Sequence, residues 1–176
     1  MLDLNTMGAR AKAASRVLAT ASTSLKNSAL EAMAAALIAN SEDILRANAV
    51  DMENGIANGM TVSLQDRLRL TPERIRGMAD GVLETAALTD PCGEIISGAV
   101  GTKGLAIRKI RVPMGVIGII CEARPNVTSD AAALCLKSGN ACILRSGKEA
   151  INSNIAIMSA LRGAVESVGL PADCVQ

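Results

Sequence analysis

The 176-residue sequence predicts an α/β fold in which a helical layer is followed by a β-ribbon and then by an incomplete parallel βαβα unit. Three observations predict it. Alanine-rich segments with helical spacing fill residues 2 to 88. Two β-type runs then flank a Gly-Thr-Lys-Gly turn at 101–104, and from residue 113 onward short apolar runs alternate with helical stretches. The expected organisation is a helical segment at 1–90, a ribbon at 91–112 and a parallel α/β unit at 113–176.

In the first segment the helical pattern breaks at Thr20 to Ser24, at Asn40-Ser41 and around Asn54 to Thr61. Ser41 followed by Glu42 and Asp43 reads as a helix start, with the hydroxyl capping free amides and the acids at the positive end of the dipole. Thr71-Pro72-Glu73 reads as another, with proline at the first helical position. Pro91-Cys92-Gly93 ends the layer. The runs Glu94 to Val100 and Leu105 to Val112 form the ribbon. Polar and apolar positions mix on both faces of the second run, which makes the ribbon a candidate oligomer contact.

Gly115 to Cys121 is almost wholly apolar, the pattern of a strand buried on both faces of a parallel sheet. Thr128 to Lys137 reads as a helix, with Asp130 in its first turn and Gly139-Asn140 at its end. Ala141 to Leu144 is a second buried strand. A longer helix, Glu149 to Val168, places Ile151, Ile155, Met158, Leu161, Val165 and Val168 at spacings of three and four, and stops at Gly169 with Pro171 beyond. This succession predicts a parallel unit with right-handed crossovers. The final Cys174-Val175-Gln176 resembles the start of a third strand.

Composition narrows the chemistry. The chain has no Phe, Tyr, Trp or His, so Ala, Ile, Leu, Val and Met must fill the core, and any acid or base step falls to Glu, Asp, Lys or Cys. A net charge of +1 provides no field for nucleic acid or an anionic membrane, and no aromatic platform exists for stacking bases. Asp3, Arg10, Lys12 and Arg16 interrupt the opening stretch, so it reads as neither secretory signal nor membrane span, and cytoplasmic residence is expected. The five cysteines, at 92, 121, 135, 142 and 174, form no Cys-x-x-Cys pair and fit a reduced compartment, most of them as small buried hydrophobes. No metal-ligand set appears. The usual dinucleotide glycine fingerprint, the P-loop and the Gly-x-Ser-x-Gly nucleophile motif are also missing.

Ligands of open parallel sheets bind beyond the carboxyl ends of the strands, which singles out the turns after Cys121 and Leu144. The first, Glu122-Ala123-Arg124-Pro125-Asn126-Val127-Thr128, brings a cation and a carboxamide to a helix start. Arg124 is a candidate for a two-pronged contact with phosphate or carboxylate, and Asn126 for donation to a developing oxyanion. Alternatively, Asn126 or Thr128 caps the helix and Arg124 is a solvated charge. The second turn, Arg145-Ser146-Gly147-Lys148-Glu149, sets two cations around a glycine ahead of a helix and suits a phosphate-bearing ligand such as a nucleotide. Its alternative is a polar turn with a permissive glycine. Among the cysteines, Cys121 at a strand end beside Arg124 is the candidate nucleophile, on the argument that the cation lowers its pKa.

Taken together, the run from Arg111 to Ile120, Arg124 to Thr128, Asp130 to Asn140, Ile143-Leu144-Arg145, Glu149-Ala150-Ile151 and Ser153-Asn154 closely resembles the gamma-glutamyl phosphate reductase (glutamate-5-semialdehyde dehydrogenase) family of the aldehyde dehydrogenase superfamily. Asp66-Arg67-Leu68, Glu73-Arg74-Ile75 and Gly77-Met78-Ala79 look like the same family's helical segment. The resemblance covers essentially the whole chain and roughly two-fifths of a usual member, its amino-terminal portion. It implies an aldehyde-dehydrogenase-like fold with a Rossmann-like unit. Residues 1–90 would then be the helical part of the cofactor domain, 91–112 an oligomerisation arm and 113–176 a truncated NADP-binding unit, with the catalytic domain and its cysteine absent.

The implied reaction belongs to proline synthesis. A cysteine thiolate attacks gamma-glutamyl phosphate and expels phosphate, and NADPH reduces the thioester to glutamate 5-semialdehyde. By position Asn126 is similar to the superfamily's oxyanion asparagine, and Arg124 would lie near the acyl phosphate. Arg145 stands where a lysine contacts the adenosine ribose, and Lys148 where NAD-preferring relatives carry glutamate, so a cation there favours the 2′-phosphate of NADP(H). Ser146 and Gly147 complete the expected cofactor turn. Cys121 and Asn152 depart from the pattern, standing where an aromatic and a histidine are expected. Without its nucleophile the chain is expected to be inactive alone. The other readings are a noncatalytic nucleotide-binding or assembly fragment, and one part of a split enzyme.

Overall fold

In the computed structural model, which describes residues 3–176, the alanine-rich half forms five helices: α1 Leu4–Leu18, α2 Thr23–Ala39, α3 Ser41–Ala57, α4 Val62–Leu68 and α5 Pro72–Ala87. Leu2, with which the helical reading begins, lies outside the described residues. Small side chains let helices approach closely: α2 packs against α5, and Ala29 and Ala34 of α2 and Ala79 and Ala86 of α5 are all buried. Thr71 caps α5 as expected, its Oγ1 accepting from the Arg74 amide at 3.2 Å with Pro72 at the first position. Ser41 does not cap α3. It is already helical, because a single residue, Asn40, separates α2 from α3, and the Asn40 carboxamide turns back to donate to the Ala36 carbonyl at 2.8 Å. Glu42 and Asp43 are left to answer the dipole of α3.

Strands β1 Ile95–Val100 and β2 Ala106–Ile110 pair antiparallel around a 3₁₀ turn at Thr102–Gly104. Every residue of both strands is exposed, including Ile95, Val100, Ile107 and Ile110. The root of the ribbon is held firmly. Lys26 Nζ lies 2.5 Å from Asp90 Oδ2, Thr23 Oγ1 donates to the same oxygen at 2.7 Å, and the Cys92 amide donates to Asp90 Oδ1 at 2.9 Å. Burial alone would raise the Asp90 carboxyl, but these hydrogen bonds hold it at about 2. Close by, Gly139 sits at φ +75, where a Cβ would come within 2.8 Å of the Pro113 ring and 3.0 Å of the Cys92 sulfur. Only glycine fits there.

The second half contains β3 Val116–Ile120, α6 Asn126–Lys137, β4 Ala141–Arg145, a 3₁₀ turn at Lys148–Ala150 and α7 Ile151–Ser167. β3 and β4 are parallel, with Val116 opposite Ala141 and Ile120 opposite Arg145. On the other edge of β4 the chain end continues the sheet: Val175 bridges Cys142 in parallel, the Gln176 amide donates to the Cys142 carbonyl at 3.0 Å, and the Leu144 amide donates to the Gln176 carbonyl at 2.6 Å. The third strand that the sequence predicts to begin at Cys174 is here a single bridge at Val175, after a 3₁₀ turn at Ala172–Cys174. α1 packs against β3, β4 and the chain end, while α6 packs against β4.

Two expectations are corrected. β3 is not buried on both faces: it is an edge strand with β4 on one side only, and Ile120 is 79% exposed. In α7 the buried stripe is Ser153, Asn154, Ile157, Leu161, Ala164 and Val165, whereas Ile151 and Ile155 face out. The helix is rotated because polar residues near its start are required inside.

Those polar residues meet α3. Asp51 Oδ1 accepts from the Asn152 amide at 3.2 Å and its carboxamide at 2.7 Å, and Oδ2 accepts from the Ser153 amide at 2.7 Å and hydroxyl at 2.6 Å. One helical turn earlier, Asn48 Nδ2 donates to the Leu68 carbonyl at 2.8 Å and to Ser153 Oγ at 3.0 Å, while its Oδ1 accepts from the Leu70 amide at 2.8 Å. Asn48, Asp51 and Ser153 are all buried. A carboxylate from one helix thus occupies the N-terminus of another, and the link between α4 and α5 is tied to the same point.

Two stability predictions follow from these contacts. Asp51→Ala strands buried donors of α7 and should destabilise the fold by about 3 kcal/mol in urea unfolding, against under 1 kcal/mol for the exposed Glu53→Ala. Because the folded Asp90 carboxyl lies below its usual 3.8, the stability it contributes is present above that value and lost as pH falls toward about 2; Asp90→Asn should flatten this acid limb in a pH series of unfolding curves.

Candidate functional site

The turn after β3 begins with the Cys121 amide donating to the Arg145 carbonyl at 2.8 Å, which fixes the two expected turns side by side. α6 starts earlier than the sequence suggests, at Asn126, with Pro125 as the flanking residue and no side-chain cap. Neither Asn126 nor Thr128 caps the helix. The Thr128 hydroxyl points inward and donates to Asn154 Oδ1 at 2.6 Å, joining α6 to α7, while Asn154 Nδ2 is buried without a partner among the described residues. The Val127 and Thr128 amides donate back to the carbonyls of Arg124 and Pro125, at 3.2 and 3.1 Å. Anion binding here therefore falls mainly to side chains.

Arg124 and Asn126 are both exposed and line one cleft of about 370 Å³, whose far wall is the α4–α5 corner with Arg67, Arg69 and Arg74. The Asn126 carboxamide lies 3.4 Å from Asp130 Oδ2, one helical turn on. Burial raises the Asp130 carboxyl, with the Asn126 hydrogen bond opposing. One hydrogen of the Asn126 amide is directed at Asp130, which leaves the second for a ligand.

Arg124 also lines a neighbouring cavity of about 420 Å³ together with Arg67, Ala123, Gly147 and Glu149. Glu149 in turn borders a third, of about 570 Å³, lined by Lys148, Asp51, Asn54 and Asn152. The structure thus brings Arg124, Asn126, Gly147 and Lys148 to adjoining cavities along one side of the α/β unit. Arg145 and Ser146 line none of the three. Arg145 ends β4 with its side chain exposed, and Ser146 makes only a 3.4 Å contact to the Gly147 carbonyl. At Gly147 a Cβ would fall 2.5 Å from a Glu149 carboxylate oxygen, so glycine leaves room for that carboxylate against the turn.

The long helix opens at Ile151 and not at Glu149. Lys148–Ala150 is a separate 3₁₀ turn, and the first amides of α7 that would attract an anion already donate to Asp51. A nucleotide phosphate at this turn would be met by the Arg145 and Lys148 side chains, neither of which has an ion-pair partner among the described residues. These are exposed, unpaired cations at the ends of parallel strands.

Cys121 is not activated. Burial raises its thiol and no effect of Arg124 opposes it, contrary to the expected lowering. Cys92 is also raised, first by burial, and Cys174 is pushed up to about 12 by burial. Cys142 is pushed up by its hydrogen bond with Cys135 and by burial. Cys135 alone is lowered, by the hydrogen bond with Cys142 and against the effect of burial, but it is buried in the core, and no cysteine lines the cleft. Sequence reasoning overlooked Arg67 and Arg69, which α4 and its turn carry to the cleft from the helical half. Their signal is a charged cluster, Asp66-Arg67-Leu68-Arg69, whose first three residues carry part of the family resemblance but read only as part of the helical layer.

No family model matches the chain. It is 52% identical over 170 residues to a gamma-glutamyl phosphate reductase of Mesorhizobium japonicum, covering 97% of this chain and 40% of that protein. It is 53% identical over 166 residues to the one of Novosphingobium aromaticivorans, covering 94% and 39%. The gamma-glutamyl phosphate reductase structure from Thermotoga maritima superposes with a TM-score of 0.97 at 41% identity, covering 99% of this chain and 42% of that one. A probable aldehyde dehydrogenase from Listeria monocytogenes shares the fold alone, with a TM-score of 0.72 at 13% identity. The chain spans about two-fifths of the length of the curated relatives it matches. Over those residues, with an aldehyde-dehydrogenase-like α/β fold, the chain belongs to the gamma-glutamyl phosphate reductase family.

Proposed function

We propose that this chain supplies the oxyanion and cofactor-phosphate contacts for the NADPH-dependent reduction of gamma-glutamyl phosphate to glutamate 5-semialdehyde, with release of phosphate, in proline biosynthesis. The observation that carries this reading is the single cleft shared by Arg124 and Asn126, adjoining the cavities lined by Gly147 and Lys148. Asn126 would donate its free amide hydrogen to the acyl oxygen as negative charge develops there. Arg124 would grip the acyl phosphate through two parallel N–H contacts and so favour its departure. Arg145 would meet the adenosine ribose, and Lys148 the 2′-phosphate that distinguishes NADPH from NADH. When bound, the cofactor supplies the hydride to the acyl carbon.

The nucleophile is not among these residues: no cysteine lines the three cavities, and Cys135, the one thiol that is lowered, is buried against Cys142. Residues 1–90 serve as the helical part of the cofactor domain, 113–176 as its nucleotide-binding unit and 91–112 as an oligomerisation arm. The exposed isoleucines and valine of the ribbon support that last role. Five free thiols support a reducing, cytoplasmic setting. Among the described residues no helix is long and apolar enough to cross a membrane. The second reading, a noncatalytic nucleotide-binding or assembly fragment, is favoured by the same fully exposed ribbon.

Titration of the 176-residue chain should show saturable binding of NADPH in preference to NADH, with no turnover of gamma-glutamyl phosphate. Lys148→Glu should weaken NADPH by about tenfold and NADH little, as expected for one charge-assisted contact. Absence of binding to either cofactor leaves the assembly reading standing. For the arm, Ile107→Lys should shift the chain to a smaller species by light scattering, and an unchanged mass overturns the oligomer assignment.

A further inference from the structure

Arg67 and Arg124 come from distant parts of the chain, the short helix α4 and the turn after β3. They are the two cations that line both the cleft containing Asn126 and the neighbouring cavity containing Gly147. Neither guanidinium has an ion-pair or hydrogen-bond partner among the described residues. Arg74 is a useful contrast: it is occupied by the Asp66 carboxylate at 2.9 Å and by the Asp66 and Arg69 carbonyls. The acids nearby do not neutralise the pair. Asp66 is engaged by Arg74, Asp130 is hydrogen-bonded to Asn126, and Glu122 and Glu149 form no ion pair.

The position of Arg67 is fixed by buried structure. The carbonyl of the next residue, Leu68, accepts from Asn48, and the Leu70 amide donates to it, so the backbone on either side of Arg69 is tied to the core of α3. Two unpaired like charges facing one gap repel, and an anion placed between them relieves the repulsion. A fork from each side matches a tetrahedral group with three free oxygens and two charges better than a planar carboxylate with one.

We propose that Arg67 and Arg124 form a two-guanidinium clamp for a phosphoryl dianion, seated where the oxyanion side and the cofactor side of the cleft meet. The proposal rests on the functional reading above for the identity of the natural ligand, an acyl phosphate or the inorganic phosphate it releases. Neither guanidinium belongs to the cofactor turn, although Gly147 and Glu149 of that turn border the second cavity. Arg67 is thereby assigned a role in substrate binding alongside Arg124.

Inorganic phosphate is the probe, titrated calorimetrically into the 176-residue chain at low ionic strength, with acetate as the singly charged carboxylate comparison. Saturable phosphate binding is expected, with acetate much weaker. Arg67→Met and Arg124→Met should each weaken it by about tenfold or more, as loss of a charge-assisted contact requires. Arg67→Lys should retain part of the binding, and Arg76→Met, on the exposed surface of α5, should change nothing. Far-ultraviolet circular dichroism of each variant separates lost binding from lost fold. No saturation by phosphate, equal binding of acetate, or an Arg67→Met variant that is folded and unaffected overturns the clamp. If Arg67→Met alone is silent, Arg124 keeps its place in the proposed reaction and only this inference fails; if phosphate binds as described but NADPH does not, the cofactor reading fails and the clamp stands.

Discussion

A buried carboxylate governs this structure. Asp51 takes four hydrogen bonds from the first turn of α7, and Asn48, three residues before it on the same helix, joins Ser153 to the link between α4 and α5. In a core built without aromatic side chains, apolar packing is supplied by small and aliphatic groups that fit in many ways. A polar junction with every bond satisfied admits few alternatives. It sets the rotation of α7, explains why Ile151 and Ile155 face outward, and fixes the helical layer against the parallel unit.

The same junction shapes the chemistry. Because Asp51 already holds the α7 amides, that helix start is closed to an anion, and recognition at the second turn passes to Arg145 and Lys148. Because the Leu68 and Leu70 backbone is pinned, Arg67 and Arg69 are carried to the rim of the cleft opposite Arg124. One set of buried contacts thus places cations on both sides of a groove bordered by the turns that follow the two parallel strands. A similar device holds the ribbon: Asp90, engaged by Lys26, Thr23 and Cys92, fixes the root of two strands that bury nothing of their own.

Much of the architecture was legible in the sequence. Strand and helix order, the Thr71 cap and the third strand's beginning at Val175 all depend on local patterns or on short spacings, and these survive folding. What was not legible depends on partners far along the chain. The face of α7 turns on a contact with residue 51, about a hundred positions away, and periodicity alone chose the wrong isoleucines. Ser41 looked like a cap, but the single-residue link to α2 made it the first helical residue instead. Cys121 looked activated because Arg124 is near in sequence, yet burial dominates its thiol. Of the site, Arg124, Asn126, Gly147 and Lys148 lie on adjoining cavities, whereas Arg145 and Ser146 do not line them, and Arg67 entered only through the fold.

The claim that this buried junction unites the two halves is tested most directly by native-state hydrogen exchange at the amides of Leu70, Asn152 and Ser153. All three should exchange only through global unfolding, with the same free energy as core amides of α2 and α5. Rapid exchange of the Asn152 and Ser153 amides by local opening, while the core stays protected, would contradict it.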